Sequence, residues 1–292
     1  MNNDGKACKI FNICNNILMC TLILIMMYPM LYVTFASLSD SSALMRHSGI
    51  LLFPLQPTFT TYAMVLKNPM IGSGYLNTLI VVISGVALNM VMTSLTAYVL
   101  SRKRLAARRF FTFFIVFTMF FSGGMVPVYL TVKQMGLDNS LLALIIPGAM
   151  SAYNMIIMRT SMEAIHESLI ESACIDGARQ IQILLRVVLP LSMPVIAVLI
   201  LYYAVGHWNS WFNAMLYLRD RSKFPLQLVL REILITNDTA LMTGNASSQD
   251  TNSVAETVQY AVIFIATVPI LLVYPFLQKY FVKGVMIGAV KE

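Results

Sequence analysis

Residues 171–190 read ESACIDGARQIQILLRVVLP, and they form a polar, helix-compatible stretch between two long apolar segments. The rest of the chain is strongly apolar: 58% of its 292 residues are hydrophobic and only 11% are charged. Soluble domains carry about 25% charged residues. This contrast predicts a membrane subunit whose main water-exposed feature is a docking surface for another protein.

Apolar segments long enough to cross about 30 Å of hydrocarbon as helices recur along the chain. They span residues 11–36, 75–100, 110–131, 140–158, 192–213 and 258–281. Helices are expected because an open sheet edge in lipid would leave backbone groups unpaired. The sequence therefore predicts an all-α fold with six transmembrane helices and a single transmembrane domain over residues 1–292.

The distribution of Lys and Arg predicts the orientation of these helices. Five of the 20 basic residues fall in 102–109, whereas 132–139 holds only Lys133. Because basic loops stay on the cytoplasmic side, both termini and the segment 159–190 are expected in the cytoplasm. The long loops 37–74 and 214–257 are then external. The basic loop is interpreted as an orientation signal in contact with anionic lipid, so the net charge of +7 predicts no nucleic-acid partner.

Within 159–190, residues 162–175 are predicted to form one helix and residues 178–188 a second, joined by a turn at 176–177. The acidic side chains at 163, 167 and 171 would then share one solvated stripe. Gly177 allows a close backbone approach, and Glu171 offers a charge for pairing. Two interpretations remain open: a helical loop that only links two spans, or a helix-turn-helix that fits the cleft of a partner.

Catalytic and cofactor-binding motifs are missing from the sequence. It contains no GxxxxGK[ST], HExxH or GxSxG pattern, and its four cysteines form no CxxC or Cys/His cluster. Acidic and basic residues are missing from the interiors of the spans, which argues against an ion-coupled carrier. The chain itself is therefore predicted to be non-catalytic, with no metal and no cofactor of its own.

Aromatic and amide side chains gather near the outer end of the fifth span and in the fourth. They are His207, Trp208, Asn209, Trp211, Asn213, Tyr153 and Asn154. Aromatic faces stack on sugar rings and amides hydrogen-bond to hydroxyl groups, which suits a translocation path. The same residue types also form interfacial belts and helix–helix hydrogen bonds, so both interpretations stay open.

The stretch from Glu171 to Gly177, followed after nine residues by Val187-Val-Leu-Pro190, resembles the "EAA" signature of bacterial ABC importer permeases. That signature is roughly E-A-A-x3-G-x9-I-x-L-P, and Ser172 and Val187 are mild departures from it. Residues 121–148, 202–234 and the ending KGVMIGAVKE resemble oligosaccharide permeases of the maltose-transporter type, in particular the subgroup that serves complex or polymer-derived glycans.

The resemblance implies a permease subunit of an ATP-driven importer that moves oligosaccharides across the bacterial cytoplasmic membrane by alternating access. The implied partners are a second, non-identical permease, two ATPase subunits that bind ATP and Mg²⁺, and an extracytoplasmic sugar-binding protein. The implied ATPase-coupling residues lie within 167–190; they are Glu171, Ser172, Ala173, Asp176, Gly177, Leu189 and Pro190. The alternatives are an importer permease for a non-sugar solute, a stand-alone channel, and a membrane-embedded enzyme that acts on lipid or glycan.

Overall fold

The computed structural model describes residues 6–103, 105–236, 256–272 and 274–275, and the regular structure in these residues is entirely helical. The predicted all-α class is therefore confirmed. The helices are α1 Lys6–Ser37, α2 Ser41–Arg46, α3 Thr60–Lys67, α4 Pro69–Ser101, α5 Arg108–Phe120, α6 Met125–Gln134, α7 Ala152–Glu163, α8 Glu167–Ile175, α9 Gln180–Leu191, α10 Met193–Trp208, α11 Trp211–Tyr217, α12 Leu226–Thr236 and α13 Glu256–Leu272. Short 3-10 turns lie at Leu141–Leu144 and Arg221–Lys223.

The chain forms two compact units. One contains the described residues of 1–69 and 232–268, and the other those of 70–231 and 269–292. In the first unit, a loop after α1 is held by the hydrogen bonds Asp40 N–Leu55 O and Thr58 N–Leu38 O, both 2.9 Å long. The second unit holds the segment 167–190 and most of the candidate residues. The single domain predicted over residues 1–292 stays a prediction.

By length and composition, two described helices are long and apolar enough to cross a membrane, Phe11–Ser37 within α1 and Pro69–Ser101. The number rises to four if each of two bent pairs is one span. The pair α5 and α6 bends by 112°, and the pair α9 and α10 bends by 86°. The described residues thus contain fewer unbroken spans than the six predicted. Part of the predicted sixth span, 276–281, lies outside the described residues.

The predicted spans 110–131, 140–158 and 192–213 were wrong as continuous helices, and local chemistry explains each break. Gly124 adopts a φ of +83° between α5 and α6. Pro147 has no N–H to donate, so the chain around it is irregular until Ser151 caps α7 by accepting a hydrogen bond from the amide of Asn154. After α10, the side chain of Asn209 donates to the Val205 carbonyl and competes with the helix.

Helix α4 organises the second unit through a stripe of small and polar residues. A Cβ atom on Gly74 would lie 3.2 Å from the Cα atom of Leu226, and the Leu226 amide donates to the hydroxyl of Thr78 at 2.8 Å. The amide of Asn77 donates to the Ser222 carbonyl at 2.7 Å. Small residues that allow close approach and side chains that bond across helices are typical of packing in membranes.

The C-terminal end of α4 packs into an apolar core with α7 and α9. Its buried members are Ala97, Tyr98, Leu100, Met155, Met158, Met162, Ile183, Leu184, Val188 and Leu199. The methionines follow helical spacing on α7, so they form the face that α7 turns to the core. This core is the base on which the segment 167–190 stands.

Candidate functional site

The segment 167–190 forms the predicted helix-turn-helix, but its first helix is shorter than expected. The predicted continuous helix 162–175 was wrong, because α7 ends at Glu163 and α8 starts at Glu167 with His166 in an extended conformation before it. Ile165, between the two helices, packs against the apolar core. Glu167 and Glu171 lie four residues apart on α8 and share one face, whereas Glu163, which ends α7, does not belong to that stripe.

The turn between α8 and α9 is a Schellman motif, which requires a left-handed residue after the helix. Gly177 has a φ of +77°, its amide donates to the Cys174 carbonyl at 3.0 Å, and the amide of Ala178 donates to the Ala173 carbonyl at 3.0 Å. Any side chain at 177 would strain this conformation. The Ala and Gly of the signature are thus parts of one backbone motif.

One side chain from outside the segment and one from within it fix the start of α9. The hydroxyl of Tyr98 donates to the Oε1 atom of Gln180 at 2.8 Å. The Arg179 amide donates to the Oε1 atom of Gln182 at 2.8 Å, which satisfies a backbone donor at the start of the helix. The bond from Tyr98 attaches the segment to the end of α4.

The end of α9 departs from regular α-helix where Leu189 and Pro190 lie. Residues Leu184–Val188 form a π-helical turn, and the Leu189 amide donates to the Leu184 carbonyl. Pro190 has no N–H that could donate to the Arg186 carbonyl. The Leu189 side chain packs against the core, whereas Pro190 is exposed. The signature's Leu-Pro pair therefore lies at the 86° bend into α10.

The outer face of the segment combines polar and apolar side chains. Glu171, Ser172 and Asp176 are exposed. Ile175, next to the turn, is 86% exposed, and Leu169, Ile181 and Leu185 are also exposed. Exposed apolar side chains on an otherwise polar surface are typical of protein–protein contacts. This face can bind a partner whose surface offers an apolar pocket.

Ion pairs join the segment's base to the basic loop 102–109. The carboxylate of Glu163 pairs with Arg108 and with Arg159, the latter at 2.7 Å. Lys103 pairs with Glu167 at 3.3 Å. These pairs were not predicted from the sequence, because the basic loop was assigned to contact with anionic lipid. A signal for these pairs was present in the sequence, because charged side chains in a largely apolar chain need partners of opposite sign.

A cavity of about 350 Å³ lies in the second unit. It is lined by Val128, Ala143, Leu144, Pro147, Gly148, Ser151, Asn154, Tyr202, Tyr203, Gly206, His207, Ser210, Asn213 and Tyr217. Three predicted path residues, Asn154, His207 and Asn213, are therefore brought together. The tyrosines and serines of the lining were not predicted. The signal was their spacing, because positions 203, 207 and 210 follow one another at the three- or four-residue intervals of one helix face.

The other predicted path residues do not line the cavity. Trp208 is buried, and its ring centre lies 6.3 Å from that of Tyr75. Asn209 is exposed. The Arg231 guanidinium lies 4.7 Å above the ring of Trp211, which is a cation–π contact. Tyr153 is 58% exposed, away from the cavity lining. For these residues, the interpretation as packing or surface aromatics fits the geometry better.

Polar side chains of α4 hold three of the cavity residues in place. The amide nitrogen of Asn89 donates to the Gly148 carbonyl, and its Oδ1 atom lies 2.7 Å from the Nε2 atom of His207. The hydroxyls of Thr93 and Tyr203 lie 2.7 Å apart. Gly85 leaves room for the imidazole, because a Cβ atom there would lie 2.5 Å from Nε2 of His207.

A polar brace joins the loop before the 3-10 turn Leu141–Leu144 to the loop after α11. Asn139, with a φ of +56°, accepts hydrogen bonds on Oδ1 from the amides of Arg219 and Asp220, each at 3.1 Å. Arg219 also pairs with Asp138 at 3.3 Å. Hydrogen bonds from Ser222 lower the pKa of Asp220, so this carboxylate is ionised. The brace fixes part of the predicted outer loop 214–257; residues 237–255 of that loop lie outside the described residues.

Comparison with known proteins agrees with the architecture. Residues 89–287 match the family model described as "Binding-protein-dependent transport system inner membrane component". The chain is 42% identical over 270 residues to the polygalacturonan/rhamnogalacturonan transport system permease protein YtcP of Bacillus subtilis, covering 92% of this chain and 93% of that one. It is 38% identical to the protein LplC of the same organism, covering 99% and 97%.

A solved structure is also similar. A chain from the crystal structure of a bacterial ABC transporter involved in the import of the acidic polysaccharide alginate matches with a TM-score of 0.88 and 33% identity, covering 96% of this chain and 100% of that chain. The resemblance drawn from residues 171–190 to ABC importer permeases is thereby confirmed. This chain belongs to the family of inner membrane components of binding-protein-dependent transport systems.

Proposed function

We propose that this chain is one of two unlike permease subunits of an ATP-driven importer that carries oligosaccharides across the bacterial cytoplasmic membrane. The proposal rests on its relatives: YtcP is named for polygalacturonan and rhamnogalacturonan, and the solved relative for alginate. These names share a carbohydrate polymer, and an oligosaccharide is the substrate class proposed for this chain. Both termini and the segment 167–190 would face the cytoplasm, and the loops 37–74 and 214–257 would face outward.

The segment 167–190 is the site where ATPase motion would enter this subunit. One observation carries this role: an exposed tip, with Ile175 86% exposed, stands on a base held by the buried core and by Tyr98. A tip that is exposed and rigidly based can transmit force, because its displacement must move the helices beneath it. Glu171, Ser172, Ala173, Asp176 and Gly177 would form the contact and its turn, and Leu189 and Pro190 the bend behind it.

ATP and Mg²⁺ would bind to the two ATPase subunits and not to this chain. When the ATPase subunits close, the free energy of their contact with the tip would differ between the inward-facing and outward-facing states of the permease. Only such a difference can shift the equilibrium between the two states. This chain would then alternate between inward-facing and outward-facing arrangements. The tail 285–292, which the resemblance implies would reach the ATPase interface, lies outside the described residues.

The cavity would be the part of the translocation path that this chain supplies. Asn154, His207 and Asn213 meet there beside the tyrosines Tyr202 and Tyr217. A volume of about 350 Å³ lies at the low end of the range of small-molecule sites, about 300–1,000 Å³. The sugar would be delivered from the outer side by a binding protein and passed along a path shared with the second permease.

ATP hydrolysis by the assembled complex tests this function. The chain is co-purified with its neighbouring permease and ATPase and reconstituted in lipid vesicles, and hydrolysis is measured with a binding protein loaded with candidate glycans. We expect stimulation by at least one loaded glycan. Hydrolysis that no glycan changes, but that a peptide or another solute stimulates, would overturn the substrate class.

A matched pair of variants tests the docking tip. Ile175→Glu places a charge on the tip, and Ile50→Glu makes the same change on the predicted outer loop, where the side chain is also exposed. We expect Ile175→Glu to lose most of the co-purifying ATPase and Ile50→Glu to retain it. If both variants retain the ATPase equally, the exposed face around Ile175 is not the docking surface.

A further inference from the structure

The polar groups of the cavity carry no permanent charge. Of the described residues that line it, none is Asp, Glu, Lys or Arg. Amides come from Asn154 and Asn213, hydroxyls from Tyr202 and Tyr217, and an imidazole from His207. Amide groups both donate and accept hydrogen bonds, and hydroxyls do the same. Such a lining matches the hydroxyl groups of a sugar and offers no counter-ion to a carboxylate.

The hydrogen bonds of Asn89 decide which tautomer His207 adopts. The Nδ2 group of Asn89 donates to the Gly148 carbonyl, so Oδ1 is the atom that faces Nε2 of His207 at 2.7 Å. An amide oxygen can only accept, and therefore Nε2 must carry the proton. The Nδ1 atom of the neutral ring is then an acceptor. Asn89 is thus a positioning residue that makes His207 an acceptor for a hydroxyl.

Tyr203 is held in a similar way and is less free to bind a ligand. Its hydroxyl lies 2.7 Å from that of Thr93 and accepts a hydrogen bond from the amide of Ser151 at 3.2 Å. The cavity therefore has a fixed wall, formed by Tyr203 and His207 against α4. Opposite polar groups sit on α11, where Asn213 is exposed and Tyr217 is buried.

We infer that this cavity binds an uncharged sugar ring through its hydroxyl groups, and that it excludes an ionised uronate ring. The inference rests on the proposed oligosaccharide import. An ionised carboxylate that enters this site exchanges its hydration for hydrogen bonds from neutral donors alone and gains no counter-ion, which disfavours its binding relative to that of a hydroxyl group. Acidic rings of a glycan would then be held elsewhere on the path, and this chain would select the neutral positions.

Neighbouring asparagines provide a matched test of the site. Asn213 lines the cavity, whereas Asn209, four residues earlier in the chain, is exposed and off the cavity lining. Uptake is measured in ATP-loaded vesicles that contain the whole complex, with a transported glycan that includes neutral rings. We expect Asn213→Ala to slow uptake about tenfold and Asn209→Ala to leave it within twofold. Equal effects of the two variants would overturn the inference.

Charge at the same position separates a neutral ring from an acidic one. The binding of a neutral galactan tetrasaccharide and of a galacturonate tetrasaccharide to the purified complex is measured by titration calorimetry at pH 7, for the native chain and for Asn213→Lys. We expect the native complex to bind the neutral glycan more tightly through this cavity, and Asn213→Lys to weaken it. The exclusion of uronates is overturned if the native complex binds galacturonate as tightly as the neutral glycan and Asn213→Lys leaves the galacturonate affinity unchanged.

The two proposals fail in different ways. If neither glycan binds the native complex or stimulates its ATP hydrolysis, oligosaccharide import itself is wrong. If uptake occurs but His207→Phe, which lacks the acceptor, transports as well as the native chain, only the assignment of the cavity is wrong. His207→Gln, which can supply an amide acceptor, is expected to retain more uptake than His207→Phe.

Discussion

The substitution Gly85→Ala tests the packing between α4 and α10 directly. A Cβ atom at position 85 would lie 2.5 Å from Nε2, 2.7 Å from Cε1 and 2.9 Å from Cδ2 of His207. These distances are shorter than van der Waals contact, so the imidazole must move. A displaced ring would lose the 2.7 Å hydrogen bond to Asn89, which is completely buried. The variant thus adds volume and removes a polar contact at once.

The expected change in the free energy of unfolding follows from three opposing contributions. Replacing Gly by Ala inside a helix stabilises by about 1 kcal/mol. Overpacking costs about 1–3 kcal/mol, and a hydrogen bond between membrane helices contributes about 0.6 kcal/mol. The net effect is a destabilisation of about 0.5–3 kcal/mol. Gly72→Ala is the matched control on α4, because nothing lies within 4 Å of its Cβ position, and it should be neutral or stabilising.

Thermal unfolding of the purified chain in lipid nanodiscs measures both variants. We expect Gly85→Ala to lower the midpoint and Gly72→Ala to leave or raise it. In a His207→Ala background the clash is removed, so Gly85→Ala should lose its cost there. If Gly85→Ala lowers the midpoint equally with and without His207, the contact with the imidazole is not the cause, and the packing of α4 against α10 is different.

Further predictions concern the turn, the ion pairs and pH. Gly177→Val, which strains the left-handed turn by about 1–2 kcal/mol, should abolish glycan-stimulated ATP hydrolysis while the complex still assembles, and Gly177→Asn should retain part of it; full activity of the valine variant would exclude the turn from coupling. Glu163→Gln should lower the unfolding midpoint of the chain at low salt, because Arg108 loses its ionic partner, and a shift that persists unchanged at 1 M salt would contradict the ion-pair explanation. Hydrogen bonds from Ser42 lower the pKa of Asp40, so its contribution to the stability of α2 is present above the unfolded value of about 3.9 and is lost as pH falls through the lower folded value. Hydrogen exchange of α2, corrected for intrinsic rates, should show this acid-dependent opening in the native chain and not in Asp40→Asn, which caps the helix without a charge.

Features set by local chemistry could be predicted from the sequence. The first two spans follow from uninterrupted apolar runs, and the structure has long helices at both. The turn at 176–177 is predicted by an Asp-Gly pair after a helical pattern. The structure shows why this pair marks a turn, because Gly177 has a left-handed φ that other residues rarely adopt. Asn154, His207 and Asn213 were predicted because aromatic faces stack on sugar rings and amides hydrogen-bond to hydroxyl groups, and the structure brings these three together.

Features that depend on distant partners could not be predicted. In an apolar chain, hydrophobicity continues across a helix break, so periodicity does not reveal where a span bends, as at Gly124 or Asn209. The pairing of Lys103 with Glu167 joins residues 64 positions apart. The sequence placed Trp208 and Trp211 on the path by residue type alone, whereas the direction of each side chain is fixed by packing, with Tyr75 for one and Arg231 for the other.

Helix α4 links the segment 167–190 to the cavity. Its residues Asn89 and Thr93 hold the cavity wall, and Tyr98 holds Gln180 at the start of α9. Nine residues separate Asn89 from Tyr98, which is about 14 Å along a helix. Because a continuous helix of this length bends little, we expect a displacement of α9 to reach the wall of the cavity as a movement of α4 against α10. Polar groups on α4 would be costly in lipid without partners. Here they give one helix two sets of partners, one at the cavity and one at the segment 167–190.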